Sequence, residues 1–344
     1  MPVDPAKTKL IIEHKHEVPL MSCVFSPNGG HLLAGGRDPG IACIDVASGK
    51  KTALAGHDSW VGDMVRGADD LVLTSDYVGH VIAWDCSGDL PKLRWNIEAH
   101  PGTIRALAVS ADGKTFATGD RDGAVKLWQS VDGKLLRELP RNEHPIYGLA
   151  LHPDGKRIIT ADRQPKKPTI RVCDITSGNE LIKIEVPELS GYRNVEDIEW
   201  GGIRSLTLTP DGAHIIVGGR GGYDGPATLL LYQTESGKLH RKLASTMKGF
   251  SYTTRCHRDG FIMAASGEIA KGEFRAWHRD QDKSLADTAT PGPCTCLDIH
   301  PDHQRFAITQ AIGKSSYPET GVIAFYEWVG SIFPSAGGTL RSAQ

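Results

Sequence analysis

Six times along the chain an apolar run meets a short polar tetrapeptide ending in Gly or a near substitute. The copies are Ser26-Pro27-Asn28-Gly29, Ser110-Ala111-Asp112-Gly113, His152-Pro153-Asp154-Gly155, Thr209-Pro210-Asp211-Gly212, His257-Arg258-Asp259-Gly260 and His300-Pro301-Asp302-His303. Counted from Asn28, the third residues are 84, 42, 57, 48 and 43 apart, and Asp70 sits halfway along the first gap. A period near 40–45 residues marks a four-stranded blade. One such sheet cannot bury both faces by itself, so neighbouring blades must stack in a ring. The period predicts an all-β, seven-bladed β-propeller of four-stranded antiparallel blades. Such a fold carries many activities, so function has to come from the site.

The rest of each unit agrees. After the turn comes Thr115-Phe116-Ala117-Thr118, then a polar turn, Gly119 to Gly123, then Ala124-Val125-Lys126-Leu127-Trp128, then a Gly turn and a fourth strand. Short β-rich runs bounded by Gly and Asp read as an antiparallel meander. Gly56-His57, Ala99-His100 and Glu143-His144 precede first strands, and Trp84-Asp85 is a literal Trp-Asp. With these residues the chain resembles the WD40-repeat family over nearly its whole length. The resemblance implies a His, Ser or Thr, Asp and Trp hydrogen-bonded within a blade. Matched to the motif, the set is complete only in the third unit, as His100, Thr118, Asp122 and Trp128. The second unit has His57, Thr74 and Trp84, but Val78 at the expected Asp.

First strands are expected near Pro19, Trp60, Thr103, Pro145, Gly202, Ser251 and Pro293. The last unit stops after a third strand, Val322 to Trp328. The unassigned run Lys9-Leu10-Ile11-Ile12-Glu13 is therefore expected to supply its fourth strand and close the ring, removing a free sheet edge. Residues 1–330 read as one propeller, and 331–344 as a loosely held tail.

Charged residues make up 23% of the chain and net charge is −2, so no strong field points to nucleic acid or an anionic membrane. No apolar run is long enough to span a bilayer, and the N-terminus has no secretory apolar region. Seven cysteines without disulfide spacing fit a reducing, cytoplasmic setting. Cys294 and Cys296, two apart on a strand, are expected to share a face as core residues.

Strands a to d run outward from the axis, so a–b and c–d turns lie on one face and b–c and d–a loops on the other. The first set is short throughout. The long segments, 162–168, 187–201, 218–227, 266–273 and 310–321, all fall in the second set and all in blades 4 to 7. Long loops on a rigid scaffold commonly carry binding sites. Their candidate partner contacts are Arg163, Lys166, Tyr192, Arg193, Trp200, Arg220, Tyr223, Lys271 and Tyr317, of which Tyr, Trp and Arg are types enriched at interface hot spots.

The family resemblance implies a non-catalytic platform for a protein or peptide partner, working as a monomer or as a subunit of a larger complex. The alternative is a propeller enzyme of lactonase or hydrolase type, or a small anionic-ligand site in the central channel. The first strands offer Arg105 and Arg204 near their starts but few carboxylates, which disfavours a divalent cation. No metal or cofactor is expected, and no catalytic residue is nominated.

Overall fold

The computed structural model describes residues 2–164, 166–193, 198–199, 201–222, 224–313 and 318–329. Seven four-stranded antiparallel sheets form the blades. Their innermost strands begin at Leu20, Val61, Ile104, Ile146, Ile203, Phe250 and Cys294, within one residue of the expected starts. A single-turn 3-10 helix at Pro187–Leu189 and a small hairpin, Tyr192–Arg193 with Ile198–Glu199, sit between blades 4 and 5. Among the described residues no helix is long and apolar enough to cross a membrane.

The ring closes as the sequence requires. Thr8–His16 runs antiparallel to Thr320–Trp328 and is the outer strand of blade 7. Val3 joins the same junction: it packs with Phe261, Phe306 and Trp328, and its N–H donates to Asp259 of blade 6 at 2.9 Å. The core is distributed rather than central. Each of seven apolar clusters joins the facing sheets of two adjacent blades. Across the closing junction, Phe25 of blade 1 meets Phe325 of blade 7 edge-on, with centroids 5.9 Å apart.

The repeated tetrapeptides have two jobs. Their last residue turns the chain through left-handed backbone, with φ of 69 to 86° at Gly29, Gly113, Gly155, Gly212 and Gly260. His303 takes the same conformation at φ 56°, as does Asp70 at φ 61°, the missing copy in blade 2. Three of the histidines at the first position also tie blades together. His152 Nε2 bonds the Gly212 carbonyl at 3.1 Å, His257 Nε2 the His303 carbonyl at 3.0 Å, and His300 Nε2 the Gly29 carbonyl at 3.0 Å.

The polar set exists, but its acid is not Asp122. His100 Nδ1 bonds Asp120 Oδ2 at 3.0 Å and its Nε2 meets Thr118 Oγ1 at 2.6 Å, while Trp128 Nε1–H donates to Thr118 Oγ1 at 2.9 Å. The reason is pleat and length. Strand b ends at Asp120, two residues beyond Thr118 and so on the same buried face. Asp122 lies past the strand in the turn, exposed, and its own backbone N–H caps Asp120 Oδ1 at 2.9 Å. With the register corrected, blade 2 is complete too: His57 bonds Asp76 at 3.0 Å and Thr74 at 2.7 Å, and Trp84 donates to Thr74 at 2.9 Å. Val78 is a turn residue there.

The cysteine expectation also changes. Cys294 and Cys296 are buried, but a β-bulge falls between them. Cys294 therefore packs toward blade 6 and Cys296 toward blade 1. All seven cysteines are free thiols.

Candidate functional site at the mouth of the central channel

That bulge recurs. In every blade strand a carries one near its start, between the first and third residues in six blades and between the second and fourth in blade 6, opposite the end of strand b. A bulge leaves one residue unpaired and re-aims its side chain. The seven bulged residues are Met21, Gly62, Arg105, Tyr147, Arg204, Tyr252 and Thr295, and all seven line one cavity of about 300 Å³ at the axis. Blades 3 to 6 thus contribute Arg, Tyr, Arg and Tyr in succession. Outside this ring, the residue just beyond strand b contributes Arg37, Tyr77, Arg121 and Arg163 from blades 1 to 4, and the last residue of strand b contributes Arg220 from blade 5. Both rings lie on the face of the b–c and d–a loops.

The side chains interlock. Arg105 Nη1 donates to the Tyr77 hydroxyl at 2.6 Å, and its guanidinium lies 4.5 Å from the Tyr77 ring centre and 5.3 Å from that of Tyr147. Gly62 has no side chain because the Tyr77 ring occupies that space: a Cβ would stand 2.8 Å from it. Arg163 Nη1 donates to the Tyr147 hydroxyl at 2.9 Å and sits 5.1 Å from its ring centre. Arg204 lies 5.9 Å from the Tyr147 ring and 4.6 Å from that of Phe250. Burial alone would raise the Tyr147 phenol, but Arg163, Arg105 and Arg204 pull it below the usual tyrosine range. Burial, with Arg163 and Arg105 alongside, brings the Arg204 guanidinium down to about 10.

Deeper in the channel the charges are matched. Arg66 Nη2 and Arg255 Nε both donate to Asp298, at 2.9 and 3.1 Å, and Asp298 also accepts the Phe25 N–H at 2.9 Å. Asp63 lines the cavity too, with its oxygens taken by the N–H groups of Leu107 and Met64, at 2.7 and 2.9 Å. Among the described residues no three His, Cys, Asp or Glu side chains gather as a metal site would need.

The expected partner contacts whose side chains are described fall into three groups. Arg163 belongs to the mouth. Arg220 is a clamp rather than an exposed contact: it is 4% exposed and pairs with Asp224 and Glu268, each at 3.0 Å. Lys166 and Lys271 are exposed on the rim, and the Lys166 carbonyl accepts the Ser190 hydroxyl at 3.1 Å. Of Tyr192 and Arg193 only the backbone, in the small hairpin, is described, and Trp200, Tyr223 and Tyr317 lie outside the described residues. Two of the long loops are largely strand. Strand b has six residues in blades 1 to 4 but seven, eight and eight in blades 5 to 7. In blade 6, Phe261–Glu268 and Lys271–His278 pair to their ends, leaving only Ile269 and Ala270 as the turn. Sequence reasoning missed Tyr77, Tyr147 and Tyr252. The signal for Tyr147 and Tyr252 was a repeated place near the start of strand a, and for Tyr77 the place directly after strand b.

The family model for the WD domain, G-beta repeat, matches residues 7–45 and 91–129. Each match starts on or just before an outer strand and runs through strand c of the next blade, the offset that lets the N-terminal strand close the ring. The chain carries WD40 repeats. Curated relatives of this WD40 propeller include the nuclear distribution protein nudF of Emericella nidulans, 27% identical over 202 residues, 52% of this chain and 44% of that protein. The target of rapamycin complex subunit wat1 of Schizosaccharomyces pombe is 26% identical over 238 residues, 69% of this chain and 70% of that protein. The small ribosomal subunit protein RACK1y of Oryza sativa subsp. japonica is 25% identical over 179 residues, half of either chain. The WD40 propeller spans less than half the length of the nuclear distribution proteins it matches.

Proposed function

We propose that this WD40 propeller is a non-catalytic interaction scaffold, and that a protein or peptide partner docks on the face of the b–c and d–a loops over blades 4 to 7. The observation that carries this is the asymmetry of the two faces. The a–b turns are knitted together by the turn histidines, whereas on the opposite face the blade 6 hairpin overruns the ring and holds Ile269 at its tip, 51% exposed. An exposed apolar side chain beside Lys271 and the Arg–Tyr mouth is the mixture that interface cores and rims use. The names of two relatives place those proteins in a complex and in a ribosomal subunit, which supports assembly as this chain's role. Seven free thiols support a reducing, cytoplasmic setting.

The test is paired substitution followed by affinity purification. Ile269→Asp with Lys271→Glu should remove the co-purifying partner with little change in stability, since exposed substitutions typically cost within about 0.5 kcal/mol. Lys134→Glu with Lys238→Glu, on the trimmed face, should leave it bound. Equal loss from both pairs would contradict the assignment.

A further inference from the structure

We propose that the channel mouth between blades 3, 4 and 5 binds a dianionic phosphoryl group, held by Arg105, Arg163 and Arg204 around the ring of Tyr147. The site is independent of whether a partner docks on the rim.

Three observations converge. The first is geometric: three guanidiniums lie 5.1 to 5.9 Å from the centre of one phenol ring. Like charges gathered in a partly desolvated pocket repel unless a counter-charge joins them. The second is the lack of that counter-charge. Among the described residues no carboxylate pairs with any of the three, and Arg105 Nε and Arg204 Nε are buried without a hydrogen-bond partner. The same channel neutralises its deeper arginines on Asp298, and Arg220 at the rim on Asp224 and Glu268. Among the described residues of the channel, the guanidiniums without a carboxylate partner are therefore those of the mouth. The third is room: the cavity of about 300 Å³ is open to the elaborated face and holds a phosphoryl group with part of its carrier.

The number and arrangement of donors select the ligand. A carboxylate offers two oxygens in a plane and one charge. A phosphoryl group carries up to two charges and three peripheral oxygens, which can take N–H donors arriving from three blades. The rings hold the guanidiniums by cation–π contact before any ligand arrives, so little side-chain entropy is lost on binding. The depressed ionisations of Arg204 and Tyr147 fit a cluster poised for an added negative charge.

The intact chain is titrated calorimetrically at fixed ionic strength with inorganic phosphate, O-phosphoserine, serine and acetate. Phosphate and O-phosphoserine should bind saturably at one site, and serine and acetate should not. Arg204→Gln and Arg105→Gln should each weaken phosphate binding tenfold or more, while Lys134→Gln leaves it unchanged. Thermal melts of the variants check folding: relieving a crowded cation should keep or raise the midpoint. Tighter binding of O-phosphoserine than of phosphate points to a phosphorylated side chain, and the reverse to a small phosphorylated compound. Equal, unsaturable responses to phosphate and acetate, or full phosphate binding by the folded Arg204→Gln and Arg105→Gln proteins, would overturn the proposal.

Discussion

Removing the Asp120 carboxylate separates the observed hydrogen-bond network from the one the repeat motif suggests. The carboxylate is 1% exposed on its side chain and accepts three donors: His100 Nδ1 at 3.0 Å, and the backbone N–H groups of Asp122 and Ala124 at 2.9 and 2.8 Å. In Asp120→Ala the imidazole of His100, fully buried, keeps a donor with nothing to receive it, which costs about 1–3 kcal/mol. The two turn N–H groups lose an ionised acceptor as well, and bonds to charged groups contribute about 1.5–3 kcal/mol. The loss expected is therefore roughly 3–5 kcal/mol, in the range reserved for broken buried networks. Asp120→Asn, which keeps shape and one acceptor oxygen, should fall between Asp120→Ala and the native chain. Asp122→Ala removes a carboxylate that is 54% exposed and 3.8 Å from Arg121, and should cost under about 0.5 kcal/mol. Urea unfolding followed by tryptophan fluorescence reports the order directly, because Trp128 is a member of the set. If Asp122→Ala costs as much as Asp120→Ala, the assignment of the acid is wrong.

Two further outcomes follow from the fold. Deleting residues 1–16 removes the outer strand of blade 7 and leaves Thr320–Trp328 as an open edge, so the truncated chain should aggregate on heating, and an unchanged melting curve would refute ring closure. Burial pushes the His257 imidazole down to about 4, whereas the unfolded chain takes up that proton near 6.5. The unfolded state binds the extra proton between those values, so this stability is full above pH 6.5 and is lost as pH falls to about 4, amounting to roughly 3 kcal/mol. In His257→Gln the slope of stability against pH should drop by one proton over that window, and an unchanged slope would show that His257 is not the group responsible.

The fold was legible because blade boundaries are written in local chemistry. Positive-φ turns favour Gly, and a tetrapeptide that repeats in six of seven blades is hard to mistake. The missing fourth strand and its N-terminal replacement follow from counting. The acid of the polar set was misplaced by two residues because a motif gives order, not strand length: only the end of pairing at Asp120 shows which Asp is on the buried face. The long segments of blades 5 and 6 were read as loops because Gly-rich runs such as Gly218-Gly219 look like punctuation, yet both residues pair in strand b. The mouth was half visible. Arg105 and Arg204 stood out by their charge, but that Tyr147 and Tyr252 point to the same place depends on a bulge in each strand, which no residue type announces.

The most direct measurement of the central claim uses a photo-activated cross-linking residue placed singly at Ile269 and Lys271 on the elaborated rim, and at Lys134 and Lys238 on the trimmed face. Irradiated in the cells that make the protein, the rim positions should give a discrete covalent adduct with one protein, competed by the unlabelled chain, and the trimmed-face positions should give none. Adducts formed from Lys134 and Lys238, with none from Ile269 and Lys271, would contradict the account.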